Sequence, residues 1–150
     1  MSFPTQILPD HHRHCDSLFV AAEEAAQRGD WAVAAPAFER FHEQMKAHFD
    51  AEEALLFPAF EAATGMSAGP TQMMRSEHEE MRSLRAQLAA AGEAHDSESY
   101  AGAAETLLML MQQHNMKEEN ILYPMCEQAL GAEADRLGAK IDAMLEKGHV

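Results

Sequence analysis

Two stretches of the chain, HFDAEEALLFPAFE at residues 48–61 and HNMKEENILYPMCE at residues 114–127, follow one pattern. Both read His-x3-Glu-Glu-x-[Leu/Ile]-Leu-[Phe/Tyr]-Pro-x2-Glu. A His and a Glu four residues apart lie on the same face of an α-helix, one turn from each other. An imidazole and a carboxylate so placed can bind one metal ion together. The repeat therefore predicts two helical ligand pairs, which are His48 with Glu52 and His114 with Glu118.

Glycine and proline divide the whole chain into segments with helical periodicity. Apolar residues recur there at spacings of three and four, and no useful length of sequence alternates with the period of a strand. We expect helices from about residue 9 or 10 to 28, 30 to 65, 71 to 92, 97 to 131 and 132 to 147. Long amphipathic helices with short connections predict an all-α, up-down-up-down four-helix bundle at about 10–130, with a short fifth C-terminal helix. At 150 residues this is expected to be a single domain, 1–150.

Each copy of the repeat contains a proline inside its predicted helix. Pro58 and Pro124 lack the backbone N–H that would bond to the carbonyl four residues earlier, and their rings clash with that carbonyl. Both helices are therefore expected to kink or to break briefly, about a turn and a half beyond the first Glu of each copy.

Composition excludes several classes of function. Eleven Lys and Arg against 25 Asp and Glu give a net charge of −14, which argues against binding to nucleic acid or to an anionic membrane. No apolar run approaches the roughly 18 residues that a membrane-spanning helix needs. Residues 1–12 show no signal peptide, and Cys15 and Cys126 are too few for a disulfide framework. We expect a cytoplasmic protein with both cysteines reduced and buried.

Several His and Glu residues lie within otherwise apolar helical stripes. A buried carboxylate without a partner is costly, so two of them in one core favour a bound cation. His78 lies centrally on the third helix and is expected to join the two pairs. The first helix offers His11, His12 and His14; we favour His14, one turn before Leu18, but the choice among the three stays open. The predicted metal ligands are His14, His48, Glu52, His78, His114 and Glu118.

Four imidazoles and two carboxylates suit Fe, Mn or Zn. Three donors per metal leave open positions for a bridging oxo or hydroxo group, water or O2. The neighbouring Glu53 and Glu119 point about 100° away from the ligand carboxylates, so they are either hydrogen-bond partners of the ligand histidines or part of the solvated surface.

These residues resemble the hemerythrin-like (HHE cation-binding) domain family. The resemblance covers about residues 10–130, through HCDSLF at 14–19, EHEEMR at 77–82 and the two copies of the repeat. It implies a four-helix bundle that binds two non-haem iron ions, bridged by an oxo or hydroxo group, with O2, NO or peroxide as the small-molecule partner. Ferritin-like proteins have Glu-x-x-His instead, with the order reversed and a different spacing.

The chain departs from the oxygen-carrying hemerythrins on the third helix. The carriers have His-x3-His there, whereas His78 is followed by Arg82. The carriers also place the fourth-helix carboxylate five residues after the His, which would select Glu119, but the repeat selects Glu118. We therefore favour a sensor, scavenger or iron-handling protein. The alternatives are a di-iron enzyme of nitrosative or oxidative stress defence, such as an iron–sulfur repair protein, peroxidase or oxidase, and a bundle with buried His–Glu pairs and no metal.

Overall fold

The computed structural model describes residues 6–147, and they are helical apart from short connections. Gly65, with φ of +74°, ends the helix Phe57–Thr64 in the left-handed conformation that glycine adopts at little cost. The helices are α1 (Ile7–Gln27), α2 (Trp31–Ala51), α3 (Phe57–Thr64), α4 (Pro70–Glu93), α5 (Ser97–Lys117), α6 (Tyr123–Leu130) and α7 (Ala134–Lys147).

The disruption predicted at the two prolines takes the form of a π-helical turn. Glu52–Leu56 links α2 to α3, and Glu118–Leu122 links α5 to α6, so each predicted long helix continues through a wider turn. The backbone N–H of Phe57 bonds to the carbonyl of Glu52, five residues back, and that of Tyr123 bonds to Glu118 in the same way. Each proline then comes second in the following α-helix, where a backbone N–H is not required.

Four helices surround a common interior. α1 contacts α2 and α5, and α4 contacts the same two helices, so each of the four has two neighbours among the others. The short helices α3 and α6 contact each other, and α7 lies against α2, α6 and the first π turn. This packing directs one face of every long helix toward a shared core.

The buried apolar side chains of this core form two clusters with a polar layer between them. On α1, His12 lies between Leu8 of one cluster and Cys15 of the other. Both cysteines are free and buried, as the sequence predicts. The other three long helices show the same order along the chain. Buried His and Glu residues lie between Met45 and Leu56 on α2 and its π turn, between Met74 and Met81 on α4, and between Met111 and Leu122 on α5 and its π turn.

The described residues limit what can be said of the chain ends. Residues 1–5, within the segment that is expected to lack a signal peptide, and residues 148–150 lie outside them, so the domain limits 1–150 stay a prediction. Among residues 6–147, no helix has both the length and the apolar character that crossing a membrane requires.

Candidate metal centre

Six side chains meet in the polar layer, and they form two overlapping groups of possible metal ligands. The His12 group consists of His12, His48, Glu52 and Glu118, and the His78 group consists of Glu52, His78, His114 and Glu118. Within each group the four ligand atoms lie within 4.8 Å of one another. All six residues are at most 5% exposed. The two carboxylates belong to both groups, whereas each imidazole belongs to one.

Each carboxylate directs one oxygen to each group. Oε2 of Glu52 lies 3.3 Å from Nε2 of His48, and its Oε1 lies 3.0 Å from Nε2 of His78. Oε1 of Glu118 lies 3.0 Å from Nε2 of His12, and its Oε2 lies 3.1 Å from Nε2 of His114. Each carboxylate could therefore contribute one oxygen to each group.

The chemistry of the donor set fits metal ions better than hydrogen bonds within the protein. In the described residues, five buried side-chain nitrogen or oxygen atoms have no hydrogen-bond partner, and four of them belong to the His78 group. They are Glu52 Oε1, His78 Nε2, His114 Nε2 and Glu118 Oε2. These atoms lie close together but are not aligned for hydrogen bonding, and leaving such groups unsatisfied is costly. A cation at the point on which they converge would satisfy all four.

The outer nitrogens of three histidines are held by carboxylates. Nδ1–H of His12 donates to Glu119 over 2.7 Å, that of His78 donates to Glu53 over 2.6 Å, and that of His114 donates to Glu77 over 2.8 Å. An acceptor at Nδ1 fixes the orientation of the ring and leaves Nε2 to face the centre. Glu53 and Glu119 therefore act as hydrogen-bond partners of the histidines, one of the two roles considered from the sequence, whereas Glu77 was not anticipated.

His48 is held differently. Its Nδ1 lies 2.8 Å from Nδ1 of His11, and Nε2–H of His11 donates to Oε1 of Gln44 over 2.9 Å. Burial, followed by the charge of His48, lowers the pKa of His11 to about 3, so His11 is neutral and accepts the Nδ1–H of His48. His11 is therefore buried and serves as the hydrogen-bond partner of His48.

Tyr123 reaches the centre because of the π turn. In a regular α-helix, a residue five positions after Glu118 would point about 140° away from it. A turn with i to i+5 hydrogen bonds brings the two residues to nearly the same face. The Tyr123 hydroxyl lies 2.5 Å from Oε2 of Glu52 and 2.8 Å from Oε1 of Glu118. Only recognition of a π turn upstream of the proline could have revealed this contact from the sequence.

Protons stabilise the cluster when no metal is bound. Burial alone would lower the pKa of His12, but its hydrogen bonds to Glu118 and Glu119 raise that pKa to about 9. The nearby Glu52 carboxylate and the hydrogen bond to Glu53 likewise outweigh burial and raise the pKa of His78 to about 9. At neutral pH these two imidazoles carry positive charge beside the carboxylates. A metal ion binding to Nε2 must displace a proton at each.

The structure brings five of the six predicted residues together, and the exception is His14. His14 is exposed, whereas His12 occupies the place predicted for it. The physical reason is helical register, because Leu8, His12, Cys15 and Phe19 form one buried stripe. Leu18, which guided the choice of His14, is only half-buried and marks the edge of that stripe.

Glu118 rather than Glu119 faces the centre, as the repeat indicates. Arg82, at the position of the additional histidine of oxygen carriers, does not point into the cluster. Its Nη2 donates to Oε1 of Glu53 over 2.9 Å, while Oε2 of Glu53 holds His78. Arg82 thus positions the carboxylate behind a histidine of the centre.

A comparison with known protein families identifies the family of the chain. The hemerythrin HHE cation binding domain matches residues 4–126. The chain therefore belongs to the hemerythrin HHE cation-binding domain family, whose members bind metal cations, typically iron. Comparisons with curated proteins and with solved structures gave no match.

Proposed function

We propose that the chain binds two non-haem iron ions and, through them, O2 or a related small molecule such as NO or peroxide. The observation that carries the proposal is the pair of ligand groups that share both Glu52 and Glu118. The first ion would be held by His12 and His48, the second by His78 and His114, and both by the two carboxylates. Iron would supply reversible redox chemistry and open coordination positions; Mn or Zn could substitute in the same donor set.

The expected charge of the metal centre favours the binding of small anionic or polarisable ligands. Two divalent ions bring four positive charges against the two shared carboxylates, so the interior of the centre stays positive. The apolar clusters on both sides exclude water and strengthen electrostatic interactions. These features favour a sensor, scavenger or iron-handling protein.

The fold that we infer for this function is an up-down-up-down bundle. Along α1 and α4 the chain passes from the cluster containing Leu8 and Met74 to the cluster containing Cys15 and Met81. Along α2 and α5 it passes in the opposite direction, which supports alternating helices. In this arrangement α7 is the short fifth helix. Because both cysteines are free and buried, we also propose a reducing, cytoplasmic location.

Metal analysis tests the proposal directly. After anaerobic loading with Fe(II) and removal of unbound metal, we expect about two iron ions per chain, one for each ligand group. Optical spectra recorded under argon, then air, then NO should change at each step without loss of iron. Protein that retains no iron would overturn the proposal.

The position of Tyr123 favours an enzyme as the second candidate. Its hydroxyl is within hydrogen-bond distance of both shared carboxylates, so in this alternative it would hold a proton at the centre rather than bind a metal ion. Such an enzyme would act in nitrosative or oxidative stress defence. Catalytic consumption of peroxide or NO, or restoration of a damaged iron–sulfur protein, would favour it, whereas reversible spectral changes without turnover favour the binding protein.

The helix α1 ligand can be tested with a pair of variants. His12→Ala is expected to lose about one of two iron ions, because it removes one imidazole of the His12 group only. His14→Ala is the matched control, since it changes an exposed residue two positions away on the same helix, and it should retain both ions. The measurement is the number of iron ions per chain, with circular dichroism to verify that each variant keeps its helical content. Loss of iron in the His14 variant but not in the His12 variant would restore the assignment made from sequence.

A further inference from the structure

The Tyr123 hydroxyl lies at the middle of the His12 group. Besides its contacts to Glu52 and Glu118, it lies 3.3 Å from Nε2 of His12 and 3.5 Å from Nε2 of His48. These four atoms come from the four residues of that group. Tyr123 itself is fully buried, so solvent cannot satisfy the hydroxyl.

A neutral hydroxyl cannot satisfy all of these neighbours. A phenol has one proton, which it can donate to only one of the two carboxylate oxygens. The second carboxylate oxygen then faces a lone pair of the phenol oxygen, which is repulsive at 2.8 Å or less. A cation placed among the phenol oxygen, the carboxylates and the imidazoles would convert this repulsion into attraction.

The two copies of the repeat differ at the position of Tyr123, so only one of the two ligand groups has a phenol. Phe57 holds the position in the first copy that Tyr123 holds in the second, and it follows an equivalent π turn. Phe57 is also fully buried, and its ring centroid lies 5.6 Å from that of His78. It brings no oxygen toward the His78 group.

The hydrogen-bond partners behind the histidines also differ between the two groups. In the His78 group, both imidazoles donate to carboxylates, which are Glu53 and Glu77. In the His12 group, only His12 does so, because His48 is held by His11. The His12 group therefore has one carboxylate partner fewer behind its imidazoles than the His78 group has.

We propose that Tyr123 is a ligand of the iron held by His12 and His48, and that the iron held by His78 and His114 has no such ligand. The proposal rests on the proposed function. On binding, the phenol O–H bond breaks, an iron–oxygen bond forms and the proton passes to solvent; no electron is transferred. The centre thus has two chemically different iron positions, one with a tyrosinate and one without.

Spectroscopy on the iron-loaded protein after oxidation in air tests this. Tyrosinate bound to ferric iron gives a charge-transfer band in the visible range, and excitation into that band enhances Raman modes of the tyrosine ring. The chain has two tyrosines, and the other, Tyr100, packs against Trp31 within the cluster that contains Cys15. Wild-type protein and Tyr100→Phe should show the band, and Tyr123→Phe should lose it. Growth with ring-deuterated tyrosine should shift the Raman modes in wild type and in Tyr100→Phe, which makes the test independent of whether Tyr123→Phe folds.

The outcomes separate this inference from the proposed function. Wild-type protein that retains no iron contradicts both. Wild-type protein with two iron ions per chain but no tyrosinate band overturns the inference alone, as does a band that persists in Tyr123→Phe or disappears in Tyr100→Phe.

Discussion

Glu118→Ala is expected to remove both iron ions, whereas His78→Ala removes about one. The reason is the sharing of carboxylate oxygens: Oε1 of Glu118 faces His12, and its Oε2 faces His114. Removing this side chain takes a donor and a negative charge from both groups at once. His78 contributes to one group only. Glu52→Ala should behave as Glu118→Ala does, because its two oxygens are divided between the groups in the same way.

A control for these variants lies in the same repeat. Glu61 ends the first copy, but it accepts hydrogen bonds from Thr71 and Arg75 away from the centre. Glu61→Ala should therefore retain both ions. Iron per chain is measured by elemental analysis after anaerobic loading, with circular dichroism to verify helical content. Two ions retained by Glu118→Ala would contradict the shared-carboxylate arrangement.

The sequence predicts those residues of the centre whose direction follows from regular helical periodicity. His48 with Glu52 and His114 with Glu118 are found together because an i to i+4 pair stays on one face until the π turn begins. His78 is found because it interrupts an apolar stripe between Met74 and Met81. For these residues the local pattern alone determines the direction of the side chain.

What the sequence does not reveal depends on contacts between helices or on irregular backbone. The three histidines at positions 11, 12 and 14 of α1 differ in direction by rotations that only the packing of Leu8 and Phe19 resolves, so the sequence alone does not distinguish His12 from His14. Glu77 reaches His114 from another helix, and no local spacing encodes that contact. Tyr123 reaches the centre only because of the π turn, whereas the following proline in the sequence indicates a disrupted helix but not the type of turn.

Removal of metal is expected to lower the thermal stability of the protein without unfolding it. The two apolar clusters and the protonated histidines give the metal-free chain its own stabilising interactions, so it should stay helical after treatment with a chelator. An ion that binds only the folded state adds about 2.7 kcal/mol when its concentration is about 100 times the dissociation constant.

For a chain of this size, each kcal/mol shifts the melting temperature by about 2–4 °C, so chelation should lower it by about 5–10 °C for each ion removed. Thermal melts followed by circular dichroism, with and without iron, measure the difference. Glu52→Ala serves as the control, because a variant that binds no iron should melt at the same temperature in both conditions. If the wild-type melting temperature does not change on chelation or on iron loading, the cluster is a structural set of buried His–Glu pairs. A melting temperature that falls on chelation would show that the bound ions stabilise the fold. The physical reason is that ions held by Glu52 and Glu118 satisfy buried polar atoms that the protein alone leaves without partners.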